Sequence, residues 1–224
     1  MFNPIKPTLK TEILPFLAMA LVAVSSFYFY SHFPDRVPTH WGISGEIDGW
    51  GSRNTAFIIP AVIVGMYFMF LLLPFVDPKK ERYEQFKKPY HVFKNFLIIF
   101  MAIIYFVTSF AGLGYDLPVG IIIPVMIGIL FVIIGNYMAK IKMNWFFGIK
   151  TPWTLSSEEV WNKTHRFGGK MFVLGGILIA INSFLPLSFR LPVFIFTVIM
   201  LSFGTMGYSY LVYLKEKKNN IVIK

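Results

Sequence analysis

Six apolar stretches, each long enough to cross a membrane, constrain this chain more than any other feature. A hydrocarbon core of about 30 Å is crossed by roughly 20 residues of helix. Lipid offers no partners to backbone N–H and C=O groups, so such segments must be helical. The predicted spans are Ile13–Ser31, Ala56–Val76, Asn95–Gly114, Leu117–Met138, Met171–Phe189 and Leu191–Leu214. The sequence therefore predicts an all-α, polytopic protein of the cell membrane with six transmembrane helices.

The distribution of basic residues predicts how these helices are oriented. Of the 21 Lys and Arg residues, only Arg36, Arg53 and Arg190 fall on one side of the predicted spans. The others lie at the two termini and in the loops after the second and fourth spans. Because Lys and Arg in short loops favour the cytoplasm, both termini are predicted to be cytoplasmic. In a membrane protein, the net charge of +10 indicates that the chain binds membrane lipids and does not bind nucleic acid directly.

The spans and loops divide the chain into two predicted units. The first, residues 1–94, has two spans, an outer loop at 32–55 and a basic cytoplasmic loop at 77–94. The second, residues 95–224, has four spans and a cytoplasmic insert at 139–170. The chain has no cysteine, which excludes disulfides, thiol catalysis and cysteine metal sites.

Small residues recur at helical spacing on two of the predicted spans. Gly128 and Gly135 lie in the fourth span, and Gly169 and Gly176 lie in or beside the fifth. Small faces let membrane helices approach closely. We therefore expect the fourth and fifth spans to pack against each other, in preference to forming a dimer interface.

The cytoplasmic insert combines aromatic residues, charges and helix-start signals. Ser156 with Glu159 predicts a capping box, and Glu159 with Lys163 predicts a pair one turn apart. Trp161 and His165 share one face of the predicted helix. On physical grounds alone we favour an aromatic belt at the lipid interface, with a docking face for a cytoplasmic partner as the alternative.

The insert also resembles a known family. The run from Asn144 to Leu155, with Val160-Trp161 and the segment from Thr164 to Lys170, is similar to the hallmark of the SdpI family. These are bacterial membrane immunity proteins against a secreted cannibalism toxin. Lys150 stands where the family usually has arginine, which would weaken a bidentate contact.

The outer loop carries a second resemblance. The segments 34–42 and 45–53 are similar to the uncharacterised N-terminal domain that often precedes an SdpI-type region. Their prolines and glycines predict an extended segment and a turn. His40 with Asp35, Glu46 and Asp48 offers metal-ligating groups, but the spacing fits no zinc pattern. We favour a hydrogen-bonded loop cap, with no metal and no cofactor.

The resemblance implies a non-enzymatic immunity protein that binds a secreted peptide toxin and captures a cytoplasmic repressor at the membrane. The residues predicted to face the toxin are Asp35, His40, Trp41, Glu46, Asp48 and Trp50. Those predicted to bind the cytoplasmic partner are Lys150, Thr151, Trp153, Trp161, His165 and Arg166.

Two other classes of function remain to be weighed. An exporter or permease for a small molecule or peptide would carry ionisable residues deep in its spans. Glu12, Asp116 and Lys140 all fall near predicted span ends, which disfavours proton coupling. No hydrolase, zinc-protease or phosphate-loop motif is present, so the sequence predicts no catalytic residues and no enzyme.

Overall fold

Helices make up most of the structure, a computed structural model that describes residues 5–222. Its α-helices are α1 Leu9–His32, α2 Ile58–Val76, α3 Lys87–Gly112, α4 Val119–Met138, α5 Pro152–Ser156, α6 Glu158–Asn182, α7 Leu187–Ile199 and α8 Thr205–Val222. Short 3-10 segments, Arg53–Phe57 and Lys80–Phe86, lead into α2 and α3. A π-helical segment, Met200–Gly204, joins α7 to α8 in one long rod.

Five helical stretches within residues 5–222 are long and apolar enough to cross a membrane. They are Leu9–His32, Arg53–Val76, Lys80–Gly112, Val119–Met138 and Leu187–Asn219. The predicted all-α, polytopic membrane class is therefore confirmed. α6 has a similar length but is not among the five, because charged residues occupy its first half. The count of six spans stays a prediction.

The predicted bounds of the fifth span are wrong, whereas the predicted sixth span, Leu191–Leu214, lies within the helical stretch Leu187–Asn219. α6 begins at Glu158, well before Met171, because its polar first half continues without a break into its apolar second half. It ends at Asn182 rather than Phe189. A turn then leads to Pro186, which directly precedes α7. Proline suits a helix start because the N–H that it lacks would have no acceptor within the helix there.

The basic segments of the chain meet at one end of the helices. The backbone N–H of Trp145, in the insert, donates to the carboxylate of Asp77, after α2, at 3.0 Å. The Ser157 hydroxyl, before α6, donates to the Glu216 carboxylate of α8 at 2.9 Å. The starts of α1 and α3 also lie here. We call this the basic end; its cytoplasmic location stays a prediction.

At the opposite end, which we call the hairpin end, the predicted outer loop forms a two-stranded antiparallel sheet. β1 Val37–Trp41 pairs with β2 Ile47–Gly51. The Gly42 N–H donates to the Glu46 carbonyl at 2.8 Å, and Gly45 has a φ of +94° that favours glycine in the turn. The sequence predicts an extended segment and a turn here, and the structure adds the pairing of its two arms.

α4 and α6 make the most extensive helix–helix contact among the described residues. A Cβ added to Gly135 would lie 2.5 Å from the carbonyl oxygen of Gly169, and one added to Gly128 would lie 2.5 Å from that of Gly176. These backbones touch, so side chains at the four positions would force them apart. The predicted packing of small residues between these two helices is confirmed.

Candidate functional site

At the basic end, the insert folds around the fully buried side chain of Asn144. Its amide nitrogen donates to the carbonyls of Lys142 at 2.9 Å and Phe147 at 3.1 Å. Its amide oxygen accepts from the N–H groups of Phe146 at 2.8 Å and Phe147 at 2.6 Å. An amide side chain offers donors and an acceptor at one place, so a single residue fixes the whole turn.

Asp77 ties this turn to the first half of the chain. The buried carboxylate accepts from the Trp145 N–H at 3.0 Å, the Tyr83 hydroxyl at 2.9 Å and the Lys79 N–H at 2.8 Å. Beside it, the ring of Phe147 packs against Phe70 and Tyr90. The two predicted units are therefore joined at the basic end by hydrogen bonds and by an aromatic cluster.

His165, also fully buried, holds the second half of the insert against α6. Its Nε2 accepts from the Ile149 N–H at 3.0 Å, so the proton lies on Nδ1, which donates to the Trp161 carbonyl at 2.8 Å. Burial lowers the pKa of His165 to about 4, against the opposing effect of the Trp161 carbonyl. The imidazole is therefore neutral at physiological pH and acts as a bridge between two backbone groups.

Trp161 and Gly148 complete this arrangement. The indole stacks on the His165 ring with centroids 3.9 Å apart, and its Nε1–H donates to the Ile141 carbonyl at 2.9 Å. Gly148 has a φ of +109°, and a Cβ there would overlap the His165 Nε2. Only glycine satisfies both the backbone conformation and the close approach of the ring.

The start of α6 differs from the prediction by one residue. Ser157, not Ser156, is the cap, and its Oγ accepts from the Val160 N–H at 3.3 Å. The predicted capping box with Glu159 is wrong because Ser156 ends α5 and Ser157 is the extended residue between the two helices. The predicted pair between Glu159 and Lys163 is confirmed.

The six residues predicted to bind a cytoplasmic partner divide by burial. Thr151, Trp161 and His165 are buried, and the Thr151 hydroxyl lies 3.1 Å from that of Ser209 on α8. These three do not lie on an exposed docking face, which corrects the prediction that grouped them there. The aromatic side of α6 faces inward because backbone groups of the insert form hydrogen bonds with the Trp161 indole N–H and the His165 ring.

The other three residues remain accessible at the surface of the basic end. Lys150 and Arg166 are exposed, and Trp153 is half-buried against the ring of Tyr210. The Lys150 ammonium lies over the turn, within 3.3 Å of two of its carbonyls. Cationic groups beside an accessible indole suit an acidic protein surface or a lipid phosphate.

At the hairpin end, the residues predicted to face a toxin are exposed or half-buried, and several are paired among themselves or with neighbours. His40 Nδ1 lies 2.5 Å from the Asp48 carboxylate. The carboxylate of Asp35 binds Arg53. These residues are Asp35, His40, Trp41, Glu46, Asp48 and Trp50. Within residues 5–222 no three His, Cys, Asp or Glu side chains are grouped to hold a metal ion.

A cavity of about 610 Å³ lies beneath the hairpin. His40 and Trp41 line it on one side, and α6 and α7 line it on the other through Ser183 and Arg190. Most of the remaining wall is aliphatic, from α3 and α4. Both halves of the chain therefore line the cavity, and polar side chains lie on both of its sides.

Two polar groups on the cavity wall lack partners within residues 5–222. The Asn182 amide oxygen and the Ser183 hydroxyl are buried there without hydrogen bonds. The Asn182 amide nitrogen donates to the Arg190 carbonyl at 3.0 Å, which fixes the orientation of the amide. Buried polar atoms without partners cost free energy, and a ligand with matching groups would recover it.

Sequence reasoning missed a buried charged network at the basic end. The Lys94 ammonium lies 2.5 Å from the Glu12 carboxylate, which also accepts from the Tyr67 hydroxyl at 2.9 Å. Both charged side chains are almost fully buried. The available signal was the Glu12 carboxylate at the edge of an apolar run; no sequence pattern indicated that Lys94 and Tyr67, on two other helices, would meet it.

Comparison with known proteins gives two family matches. Residues 140–212 match the SdpI/YfhL protein family, and residues 17–64 match a domain of unknown function, DUF1648. The chain is 29% identical to the immunity protein SdpI of Bacillus subtilis (strain 168) over 192 residues, 86% of this chain and 90% of that protein. It is 27% identical to an uncharacterized protein of Archaeoglobus fulgidus over 131 residues, 50% of this chain and 72% of that protein. No solved structure matches it significantly.

The two matched regions correspond to the features described above. DUF1648 covers most of α1, the hairpin and the start of α2, whereas the SdpI/YfhL region covers the insert, α6, α7 and part of α8. Each region contributes to the wall of the cavity at the hairpin end. The resemblance to the SdpI family is confirmed: the chain is a multi-pass protein of the cell membrane that carries an SdpI/YfhL family region behind a DUF1648 domain.

Proposed function

We propose that this chain is a non-enzymatic membrane immunity protein that gives resistance to a secreted antimicrobial peptide toxin. The match to an immunity protein over 90% of that protein's length supports the class of function. The observation that carries the proposal is the cavity at the hairpin end, because DUF1648 and the SdpI/YfhL region both contribute to its wall. The predicted topology places this cavity on the side from which a secreted toxin arrives.

The chemistry of the cavity suits part of an amphipathic peptide. Its volume of about 610 Å³ is in the range of sites that hold small ligands or a few side chains. Aliphatic walls favour burial of apolar side chains. The unpartnered Asn182 oxygen and Ser183 hydroxyl offer hydrogen bonds to a peptide backbone, and the Arg190 guanidinium lies at the same side.

Filling the cavity tests this proposal. Ile179 lines the cavity and is 8% exposed, whereas Ile177 lies on the same helix, is 44% exposed and is not on the cavity wall. Each is replaced with tryptophan in a toxin-sensitive host, and survival is measured at matched membrane levels. Ile179→Trp should abolish resistance and Ile177→Trp should keep it. Arg190→Gln, which leaves the volume open, provides a second variant and should weaken resistance. Resistance that survives both Ile179→Trp and Arg190→Gln would contradict the proposal.

A signalling role at the basic end is the finer part of the proposal. Lys150 and Arg166 are exposed there beside Trp153, in a segment that the rest of the chain holds rigidly. We infer that these groups capture a cytoplasmic repressor once the toxin is bound. The double variant Lys150→Ala/Arg166→Ala should retain survival but lose membrane recruitment of the co-encoded repressor. The charge-matched control Lys142→Ala/Lys170→Ala, also exposed, should keep both; equal recruitment by the two would exclude this role.

A proton-coupled exporter is the second candidate, and the buried Glu12–Lys94 pair is the observation that favours it. The two candidates differ in their need for energy. An immunity protein that acts by binding should protect cells equally when an uncoupler is present below its own toxic level. Resistance that disappears with the proton gradient, while the protein remains in the membrane, would favour export.

A further inference from the structure

A second large cavity, of about 640 Å³, opens at the basic end between the starts of α1 and α3. Four lysines line it, Lys6, Lys10, Lys87 and Lys88, against one carboxylate, that of Glu84. Lys87 is paired with Glu84 at 3.0 Å. Within residues 5–222 the other three lysines form no ion pair, so the cavity keeps a strongly positive charge.

We propose that this cavity, the α1–α3 cleft, binds the phosphate group of an anionic phospholipid in the leaflet at the basic end. Lysine ammonium groups are compact donors that bind phosphate as point charges. α1 begins at the cleft, so the partial positive charge of its helix start adds to those of the lysines, although a capping box between Thr8 and Thr11 already satisfies two of its N–H groups. α3 continues directly from the 3-10 segment Lys80–Phe86.

Two buried polar atoms extend the site beyond a phosphate. Among the residues that the structure describes, His91 Nδ1 and the Asn95 amide oxygen have no hydrogen-bond partner, and both residues line the cleft. The Asn95 amide nitrogen donates to the Thr11 carbonyl at 3.0 Å, which fixes the oxygen as the free atom. An amide oxygen accepts hydrogen bonds and does not favour an anion. A headgroup with hydroxyl donors next to its phosphate, such as glycerol, satisfies both requirements.

The surroundings of the cleft favour a lipid over free phosphate. Leu14, Leu17 and Leu21 continue along α1 on the side of Lys10 and are 53%, 60% and 59% exposed. Exposed apolar side chains next to a cationic cleft match a ligand with a charged headgroup and acyl chains. A soluble phosphate would make no use of them.

The test measures lipid binding to the full chain in detergent by native mass spectrometry. Phosphatidylglycerol and phosphatidylcholine are titrated separately, and glycerol phosphate is added in a third arm. The wild-type chain should retain phosphatidylglycerol in preference to the other two. In Lys10→Gln/Lys88→Gln, its binding should weaken by on the order of tenfold or more, as expected for two lysines near a lipid surface. The control Lys142→Gln/Lys170→Gln removes two exposed lysines of the basic end that do not line the cleft, and should bind as the wild type does.

Lys10→Arg/Lys88→Arg keeps the charge and should retain binding, which separates loss of the site from loss of the fold. Three outcomes would overturn the proposal. Binding could fall equally in the cleft variant and its control, which would indicate a diffuse surface charge. Phosphatidylcholine could bind as tightly as phosphatidylglycerol. Glycerol phosphate could bind as tightly as the lipid, which would indicate a site for soluble phosphates.

Discussion

At the basic end, one neutral histidine joins the insert to the helix that follows it. His165 connects the Ile149 N–H to the Trp161 carbonyl, and the Trp161 ring covers it. Gly148 leaves the space that the imidazole needs. These residues lie in the segment that matches the SdpI/YfhL family, and in this structure they fix the shape of the insert.

The protonation of His165 should make stability depend on pH. Burial lowers the pKa of His165 to about 4, from about 6.5 in an unfolded chain. Between these values the unfolded chain binds a proton that the folded chain does not, so stability falls as the pH falls. The expected loss is about 3 kcal/mol between pH 6.5 and pH 4. Thermal unfolding in detergent across this range checks it. His165→Gln should show a smaller pH dependence, since the other histidines are common to both proteins; identical slopes would contradict the prediction.

At the scale of elements, the contact between α4 and α6 depends on four glycines. The carbonyl oxygen of each glycine occupies the space that a side chain on the facing glycine of the other helix would need. Such backbone contact gives van der Waals packing in a membrane, where lipid removes most of the hydrophobic drive for helices to associate. The same pair of helices supports both the insert at the basic end and the cavity at the hairpin end.

A matched pair of glycine substitutions tests this contact. Gly135→Ala places a Cβ 2.5 Å from the Gly169 carbonyl oxygen, whereas Gly65, on α2, has nothing within 4 Å of its Cβ position. Gly135→Ala should lower the free energy of unfolding by about 1–3 kcal/mol through overpacking. Gly65→Ala should be neutral or raise it by up to about 1 kcal/mol, because alanine favours the helix. Unfolding in mixed micelles measures both; equal effects would show that the helices separate at no cost.

The ion pair between α1 and α3 supports a second prediction at this scale. Lys94→Met leaves the Glu12 carboxylate buried with the Tyr67 hydroxyl as its remaining partner from another helix, and should cost about 3–5 kcal/mol of unfolding free energy. Glu12→Gln combined with Lys94→Met removes both charges and should recover much of that loss. A double-mutant cycle with the two single variants gives the coupling energy. Losses that simply add would show that the pair does not hold the helices together.

At the scale of the whole molecule, the two halves of the chain meet at both ends. Asp77 and Trp145 join them at the basic end, and the cavity wall joins them at the hairpin end. A ligand in the cavity contacts both halves at once, so its binding favours arrangements in which the two remain together. We propose this joint contact as the route by which binding at the hairpin end changes the insert at the basic end.

The predicted orientation can be measured in this cysteine-free chain. Ser44, at the hairpin end, and Ser156, at the basic end, are both exposed, so each accepts a cysteine without disturbing the core. An impermeant thiol reagent on intact cells should label Ser44→Cys and should spare Ser156→Cys until the cells are opened. This result follows from the 18 basic residues that we assign to the cytoplasmic side. The reverse labelling would exchange the two candidate sites and contradict both proposed roles.

The sequence by itself determined the membrane class, the position of most spans and the resemblance to the SdpI family. The thickness of a bilayer sets the length of the apolar segments that cross it, so the membrane class and the spans can be predicted without the tertiary structure. The bounds of α6 could not be predicted in this way, because its first half is polar and its helical state depends on Ser157 and on contacts with the insert. The location of the partner-binding site in the insert stays a prediction, and three of its six residues, Thr151, Trp161 and His165, were grouped with a docking face without knowledge of the neighbours that bury them.

Only the tertiary structure decided which motif residues are accessible and which charges are buried. Trp161 and His165 face inward because the Ile141 carbonyl and the Ile149 N–H, 20 and 16 residues away, are their partners. Glu12 and Lys94 are 82 residues apart, and each stands at the edge of its apolar run. Helical periodicity describes one helix at a time, whereas burial depends on what packs against it from elsewhere in the chain.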